Sequence, residues 1–382
     1  MSIQFKCLMI IAAFTMTLSS KCVVKKDLKT TIYDQFAGDT KTLFKVWHLL
    51  NEKTYDYNTE QGIKKYITFK KNLKIINEHN LTDSSYKKGL NHLTDMTEEE
   101  VKEFYGLKPI TLNDIKNNLR SLRAVSLDDF NEDEEELMPI NAPVRGDVSE
   151  HIHVPVNHLD NMRPIRNQGQ CGSCWAYTTL AVMEGSYNKQ YDPDLTDWWS
   201  TQQSVDCDAG NGGCNGGWFY NAFNFYKSND FIPDAAYSYK GAKGPTCRNK
   251  ETGMKHSKVK VASFDYCYSC QGSATNQAKF NTMLQAGPMG VAVDANAHWF
   301  SYSNGILDCA CSSGINHAVT CIGYGETAED ECNKGGKYFI VRNSWGTGWG
   351  EQGYVRVAHK DTNSNSCNIE NYAFGNVKFK TG

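Results

Sequence analysis

One segment of the sequence combines two cysteines with the predicted start of a helix. Residues 167–176 are NQGQCGSCWA, so Cys171 and Cys174 lie three positions apart, directly before a helix-forming stretch. A thiol at a helix N-terminus lies at the positive end of the helix dipole, which favours the thiolate. Two kinds of chemistry use such an arrangement: a Cys-x-x-Cys redox pair, and a structural cysteine beside a nucleophilic one.

Three later segments favour the nucleophile. Residues 212–217 (GGCNGG) form a glycine-rich turn with one cysteine, residues 316–319 (NHAV) open a predicted strand, and residues 343–350 (NSWGTGWG) follow another. A redox pair requires none of these segments. A thiol nucleophile requires a base, a group that orients the base and an oxyanion site, and this chain offers candidates for all three.

Together these motifs resemble the papain-like cysteine proteases, in particular precursors of the cathepsin L type. The family signature Cys-Gly-Ser-Cys-Trp is present, and His317 lies 143 residues after Cys174. Asn343 lies 169 residues after Cys174, and the loop at residues 326–336 accounts for the extra length. The resemblance covers roughly residues 40–382. It implies an α+β, papain-like fold of two lobes, with a helical left lobe and a β-barrel-like right lobe.

The resemblance also implies a role for each motif. Cys174 would be the nucleophile, held as a thiolate beside the imidazolium of His317, which protonates the leaving amine and later activates water. Asn343 would orient that imidazole. Gln168 would donate a side-chain N–H to the oxyanion beside the backbone N–H of Cys174. No metal and no other cofactor is expected.

A substrate cleft between the lobes is implied as well. Gly216 and Gly217 would pair with an extended peptide, and Trp345 would shield the His317–Asn343 pair from solvent. The pocket for the second residue before the scissile bond would be lined by Trp218, Phe219, Ala292, Ile315, Ala318 and Tyr372. These residues favour Leu, Val or Phe and disfavour a basic residue. Residues 208–213 leave no room for the occluding loop of cathepsin B, so endopeptidase action is expected.

The N-terminal part of the chain has a different composition. Lys6 precedes an apolar run at residues 7–18, which is shorter than the roughly 20 residues that span a membrane and is typical of a secretory signal peptide. We expect a signal peptide at residues 1–20, a helical inhibitory pro-domain at 23–110, an acidic linker with the activation cleavage site at 111–150, and the peptidase domain at 151–382.

Six positions of the pro-domain have the spacing of the family's ERFNIN helix motif: Gln61, Lys65, Phe69, Asn72, Ile76 and Asn80. Gln61 and Lys65 stand where the family motif has an acid and an arginine, so the motif's usual ion pairing is not predicted for this chain. Residues 89–95 (GLNHLTD) resemble the second pro-region motif. The resemblance implies a zymogen whose pro-segment lies through the cleft in the non-productive direction, loosened when acidic contacts are protonated at low pH. Residues 80–82 form a glycosylation sequon.

The cysteine content indicates an oxidising compartment, because the chain has 14 cysteines. By resemblance, Cys171 pairs with Cys214, Cys207 with Cys247, and Cys311 with Cys367. Five cysteines of the peptidase domain then remain: Cys267, Cys270, Cys309, Cys321 and Cys332. Cys321 lies in an apolar strand, which predicts a buried free thiol. The pairing of the other four stays open, and half a zinc site at Cys267 and Cys270 is an alternative.

The sequence therefore predicts a cysteine endopeptidase made as a zymogen in the secretory pathway, for a lysosome-like compartment, a digestive vacuole or the exterior. Its expected partners are protein and peptide substrates, its own pro-segment and cystatin-like inhibitors, and we expect a monomer without a stable membrane anchor. The net charge of −3 gives no basic face for nucleic acid. Two alternatives stay open: a catalytically silent homologue, and a thiol–disulfide oxidoreductase that uses Cys171 and Cys174.

Overall fold

The computed structural model describes seven parts of the chain: residues 28–108, 156–191, 198–308, 311, 314–327, 335–359 and 367–381. The predicted signal peptide and acidic linker lie outside these residues, as do Cys309 and Cys332. The boundaries expected for those segments therefore stay predictions.

The pro-domain packs its helices on an aromatic core. Its elements are α1 (Leu28–Gln35), α2 (Thr40–Leu50), α3 (Glu60–Asn80), the short strand β1 (Tyr86–Lys88) and α4 (Glu98–Lys102). Helices α2, α3 and α4 each begin after an Asp or Thr side chain that accepts from the first backbone N–H groups. Phe44, Trp47 and Phe69 pack with ring centroids 5.0–5.8 Å apart, so aromatic residues of α2 and α3 form this core.

The first half of the peptidase domain is helical, as predicted. It contains α5 (Cys174–Gln190), α6 (Thr201–Cys207), α7 (Phe219–Ser228) and two 3-10 turns at Leu159–Asn161 and Gly213–Asn215. Of the 17 residues of α5, 14 are buried. A helix that is buried all round needs no apolar stripe, which explains why the sequence of α5 is not amphipathic. Its N-terminus is thus fixed inside the domain.

The second half is dominated by a sheet. Its strands are β2 (Val156–Asn157), β3 (Val259–Tyr268), β4 (Met289–Val293), β5 (Tyr302–Leu307), β6 (His317–Thr327), β7 (Gly336–Arg342), β8 (Tyr354–Ala358) and β9 (Tyr372–Thr381), with helices α8 (Ala274–Ala286) and α9 (Ala297–Phe300). The strand order is β1-β5-β8-β7-β6-β4-β9-β3, and β2 pairs with β6. Only the β5–β8 pair is parallel among the paired strands of the described residues. The central strand β6 is buried over its first nine residues.

The sheet extends into the pro-domain, which the sequence analysis did not predict. Strand β1 pairs antiparallel with β5, with Tyr86 opposite Gly305. A strand of three residues carries almost no alternation signal, and it forms here because the edge of the sheet supplies its backbone partners. The mixed helix and sheet content confirms the α+β class.

Candidate active site

Cys174 is the first residue of α5 and is completely buried. The loop before it is held by the disulfide between Cys171 and Cys214 and by the Gly172 N–H, which donates to the Cys214 carbonyl at 2.9 Å. The glycine-rich turn therefore fixes the approach to the helix. This local structure places a single free thiol at a helix N-terminus, as predicted for a nucleophile.

His317 and Asn343 meet although they lie on different strands. His317 opens β6, and Asn343 directly follows β7, the neighbouring strand. The Nε2 atom of His317 lies 2.8 Å from Asn343 Oδ1. An amide oxygen only accepts, so Nε2 carries the proton and Nδ1 keeps its lone pair. The Trp345 ring covers the pair with its centroid 4.8 Å from that of His317.

Burial controls the protonation of both groups in this precursor. Desolvation raises the pKa of the Cys174 thiol to about 11, although backbone N–H groups of Ala318 and Gly106 at the sulfur oppose it. Desolvation lowers the pKa of His317 to about 4, although the hydrogen bond that His317 donates to Asn343 opposes this shift. With the pro-segment in place, the structure favours the neutral thiol and the neutral imidazole over the predicted ion pair.

Gln168 lies at the same site, and its side chain is already occupied. Its Nε2 donates to the carbonyl of Phe104 at 2.8 Å and to that of Cys171 at 2.9 Å. Ser344 Oγ donates to Gln168 Oε1 at 2.6 Å, which turns the amide so that its N–H groups face the site. A carbonyl of the pro-segment thus occupies the donor that was predicted to bind an oxyanion.

The pro-segment continues across the cleft along the glycine-rich turn. The Gly217 N–H donates to the Gly106 carbonyl at 2.8 Å, and the Lys108 N–H donates to the Gly217 carbonyl at 3.3 Å. A Cβ atom on Gly106 would lie 1.8 Å from the Gly172 carbonyl oxygen, so only glycine fits between the two backbones. The Gly216 backbone has a φ of 101° in the adjoining turn, a conformation that glycine tolerates.

Leu107 of the pro-segment enters an apolar cluster that contains the predicted pocket. The six pocket residues, Trp218, Phe219, Ala292, Ile315, Ala318 and Tyr372, all belong to that cluster. The Trp218 and Tyr372 rings meet edge to face at 5.7 Å. The sequence analysis missed Tyr268, whose ring lies 5.9 Å from that of Tyr372, because it comes from a strand far from every motif.

The three disulfides implied by resemblance are present: Cys171–Cys214, Cys207–Cys247 and Cys311–Cys367. Cys267 is joined to Cys270, which leaves no thiolate there for half a zinc site. Cys321 is free and buried, as predicted.

The motif residues on α3 contact the part of the pro-domain that follows this helix. Lys65 Nζ lies 2.6 Å from Glu100 Oε1, so the lysine has an acidic partner on α4 instead of at the exposed Gln61. Asn72 donates to the carbonyls of Thr94 and Met96 at 2.9 and 3.0 Å. Phe69 and Ile76 are buried.

Asn80 binds the backbone of Lys88 with both atoms of its amide. Its Nδ2 donates to the Lys88 carbonyl at 2.8 Å, and its Oδ1 accepts from the Lys88 N–H at 2.9 Å. The amide therefore ties the end of α3 to β1. Glycosylation of this sequon stays a prediction.

Comparison with known proteins identifies the class. The papain family cysteine protease pattern matches residues 154–377, and the cathepsin propeptide inhibitor domain matches residues 44–101. The chain belongs to the papain family of cysteine proteases. It is a cysteine-type peptidase with a propeptide, which confirms the predicted family, papain-like fold and enzyme class.

Two relatives and one solved structure show how far the similarity extends. The chain is 32% identical over 344 residues to a cathepsin L-like proteinase of Fasciola hepatica, covering 88% of this chain and 93% of the relative. It is 31% identical over 348 residues to ananain of Ananas comosus, covering 90% and 89%. The digestive procathepsin L2 proteinase of Tenebrio molitor larval midgut superposes with a TM-score of 0.66 at 26% identity, covering 88% of this chain and 99% of that chain.

Proposed function

We propose that this zymogen becomes an endopeptidase in which Cys174 is the nucleophile and His317 the general acid and base. The observation that carries the proposal is the path of the pro-segment. Its backbone contacts the Gln168 amide, the Cys174 sulfur and Gly217 in succession. These are the three positions that a bound peptide substrate would need.

The reaction follows from the positions of the polar groups. Once the pro-segment leaves, water and substrate reach the pair, the desolvation that favours the neutral forms is relieved, and the thiol proton moves to Nδ1 of His317. The thiolate attacks the peptide carbonyl carbon, and the oxyanion accepts from Gln168 Nε2 and the Cys174 N–H. His317 then gives its proton to the leaving amine, and the thioester is hydrolysed by a water that His317 deprotonates.

Inhibition by the intact pro-segment follows from its direction. At one end lies Phe104, whose carbonyl accepts from Gln168 and whose ring centroid lies 6.2 Å from that of Trp345. From there the segment runs towards Leu107, which forms a parallel β-bridge with Gly217. A substrate whose residues before the scissile bond pair with Gly216 and Gly217 runs the opposite way. The pro-segment therefore places its peptide bonds in the wrong orientation for attack by Cys174.

The preference for an apolar second residue is supported by the group that fills the pocket. Leu107 is 6% exposed among apolar and aromatic side chains. A substrate side chain of similar size and polarity would replace it at little cost, whereas an arginine would bury a charge without a partner. We therefore propose Leu, Val or Phe at this position.

The two alternatives are disfavoured by named contacts. Cys171 is joined to Cys214 and not to Cys174, which removes the partner that a redox pair requires. A silent homologue would have no reason to keep the His317–Asn343 and Ser344–Gln168 hydrogen bonds beside a free cysteine. Both arguments support the peptidase that is proposed here.

The proposed location is a lysosome-like compartment, a digestive vacuole or the exterior. Four disulfides among the described cysteines are typical of an oxidising compartment. In the part of the chain that the structure describes, no helix is both long enough and apolar enough to cross a membrane.

The decisive experiment is hydrolysis of a fluorogenic peptide with Phe then Arg before the reporter, by acid-matured protein at mildly acidic pH. Activity that is lost in Cys174→Ala would support the proposal. A correctly trimmed wild-type protein with its disulfides intact and no activity on any peptide of a mixed library would contradict it.

A further inference from the structure

Tyr239 connects the two segments that carry the oxyanion donors, although no motif includes it. Ser173 Oγ lies 2.7 Å from the Tyr239 hydroxyl, and that hydroxyl donates to the backbone carbonyl of Gln168 at 2.8 Å. The first segment ends in Gln168, and the second leads into the Cys174 backbone N–H. One hydroxyl therefore touches both halves of the proposed oxyanion site.

The direction of these hydrogen bonds is fixed by chemistry. The Gln168 carbonyl can only accept, so Tyr239 uses its single O–H on it. The phenol oxygen then accepts from the hydroxyl of Ser173, and the chain of bonds runs from Ser173 through Tyr239 to Gln168. Each hydroxyl therefore donates one hydrogen bond, and the direction of both bonds is determined.

Ser173 provides a second observation. It is the N-cap residue of α5, yet its side chain makes no capping hydrogen bond. Serine at this position usually accepts from the first backbone N–H groups of the helix. Here its hydroxyl contacts Tyr239 instead, so no hydrogen bond from the Ser173 side chain caps the N-terminus of α5 beside Cys174.

The Tyr239 ring is held by its neighbours. It meets the Tyr177 ring edge to face at 5.1 Å and packs against the small cluster around Trp175 and Cys214. Ser173 and Gln168 are completely buried, so neither can exchange the lost bond for bulk water at no cost. The hydroxyl is thus positioned by packing, and its two partners depend on it.

We propose that Tyr239 is a positioning residue that holds the Gln168 and Cys174 donors at the separation that the oxyanion requires. This inference rests on the proposed function, because it concerns the same oxyanion. It does not make Tyr239 a catalytic residue, since the hydroxyl contacts neither the substrate nor the sulfur. Its effect is expected in the transition state and not in substrate binding.

The test is Tyr239→Phe, which keeps the ring and removes both hydrogen bonds. We expect kcat to fall about tenfold with KM nearly unchanged, less than the roughly 100-fold loss that follows removal of an oxyanion donor itself. Affinity for a peptide aldehyde, which forms a tetrahedral adduct with the thiol, should fall by the same factor. The rate at which iodoacetamide alkylates Cys174 should not change, because that reaction forms no oxyanion.

Tyr226→Phe is the matched control. It removes a tyrosine–serine hydrogen bond of nearly the same length, 2.8 Å to Ser204 Oγ, between two helices that carry no oxyanion donor, and should leave kcat and aldehyde affinity unchanged. All variants are matured by the same trace of tagged wild-type enzyme, which is then removed, and rates are normalised to alkylatable Cys174.

Two results would overturn the inference. Tyr239→Phe could keep full kcat and aldehyde affinity, or it could lose thiol alkylation in parallel with kcat, which would indicate a general structural role.

Ser173→Ala removes only the hydrogen bond between Ser173 and Tyr239, so it should show a smaller loss of kcat and of aldehyde affinity. If matured wild-type enzyme is inactive, the proposed function fails first, and the two failures remain distinguishable.

Discussion

The pro-segment contacts the peptidase domain in two regions of opposite character. In the cleft, Gly106 and Leu107 contribute backbone hydrogen bonds and apolar packing, and no titratable side chain. At the sheet edge, the Tyr86 hydroxyl lies 2.5 Å from Nδ1 of His298 in the peptidase domain. The Tyr86 carbonyl lies 3.2 Å from Nε2 of His79, a contact within the pro-domain. The cleft contact blocks the site sterically, whereas the edge contact contains histidines, which can gain a proton as the pH falls.

The charged groups that act on the two edge histidines are cationic. The charged groups that shift the two histidines are Lys87, Lys88 and, for His298, His79 itself. Burial, followed by these cations, lowers the pKa of His79 and of His298 below the ordinary value. Docking of Tyr86 on His298 therefore lowers the number of protons that His298 binds relative to the released state, and docking weakens as the pH falls below the ordinary histidine pKa.

The pro-domain also contains acidic contacts. Asp95 is 1% exposed and accepts from Lys53 at 2.9 Å and Tyr55 at 2.7 Å. Burial raises the pKa of Glu100, but the hydrogen bond from Lys65 and its charge hold it below the usual value overall. Loosening through acidic contacts thus stays a prediction, and the sheet edge adds a histidine contact that protonation would weaken.

The largest expected effect comes from the cleft. Gly106→Ala places a methyl group where the Gly172 carbonyl lies, so the pro-segment must leave its path. Alkylation of Cys174 by iodoacetamide in the unprocessed precursor at neutral pH should accelerate by up to about 100-fold, equivalent to an overpacking cost of ~1–3 kcal/mol. Gly38→Ala is the control, since its added Cβ meets nothing within 4 Å. Equal rates for the Gly106 variant and wild type would show that the cleft passage does not shield the thiol.

A smaller effect is expected at the pocket. Leu107→Arg replaces apolar burial with a charge that has no partner in the pocket, so the pro-segment should leave the cleft more often and the alkylation rate should rise about tenfold. Leu81→Arg, at a leucine that is 89% exposed in the same domain, should have no effect. The matured enzyme should prefer Leu, Val or Phe at the second position of a peptide library. A leading preference for Arg would contradict the assignment of this pocket.

The smallest effect is expected at the sheet edge. Replacing His79 and His298 together by Gln keeps polar side chains but removes the charge that develops in acid. At mildly acidic pH, alkylation of the precursor should be roughly two- to fivefold slower than in wild type, the size of one or two screened charge contacts. At neutral pH the two precursors should react equally.

His48→Gln is the control for this variant. Its Nε2 contacts the Tyr55 carbonyl at 2.7 Å, the same kind of bond within the pro-domain as that of His79, but at a site where its ring packs on Tyr55 and Tyr57. It should not change the pH profile. An unchanged profile in the double variant would show that these histidines do not cause the acid response.

The motifs made much of the site predictable. Cys174, His317, Asn343 and Gln168 were identified because each lies in a short motif whose order and spacing are specific. The helix after Cys174 and the strand after His317 were also foreseen, because their patterns are local. The partner of Lys65 was not, because Glu100 lies 35 residues away and no periodicity connects the two positions.

The sequence by itself determined the chemistry, the helices and strands that carry it, and the presence of an inhibitory pro-domain. Only the tertiary structure decided that Gly106 lies against Gly172, that Phe104 occupies the amide of Gln168, and that Tyr239 bridges Ser173 and Gln168. Local patterns record the type and period of an element, whereas contacts between distant residues depend on how buried surfaces pack together. The desolvation that favours the neutral forms of Cys174 and His317 has the same origin, since the pro-segment that excludes water reaches them only through the fold.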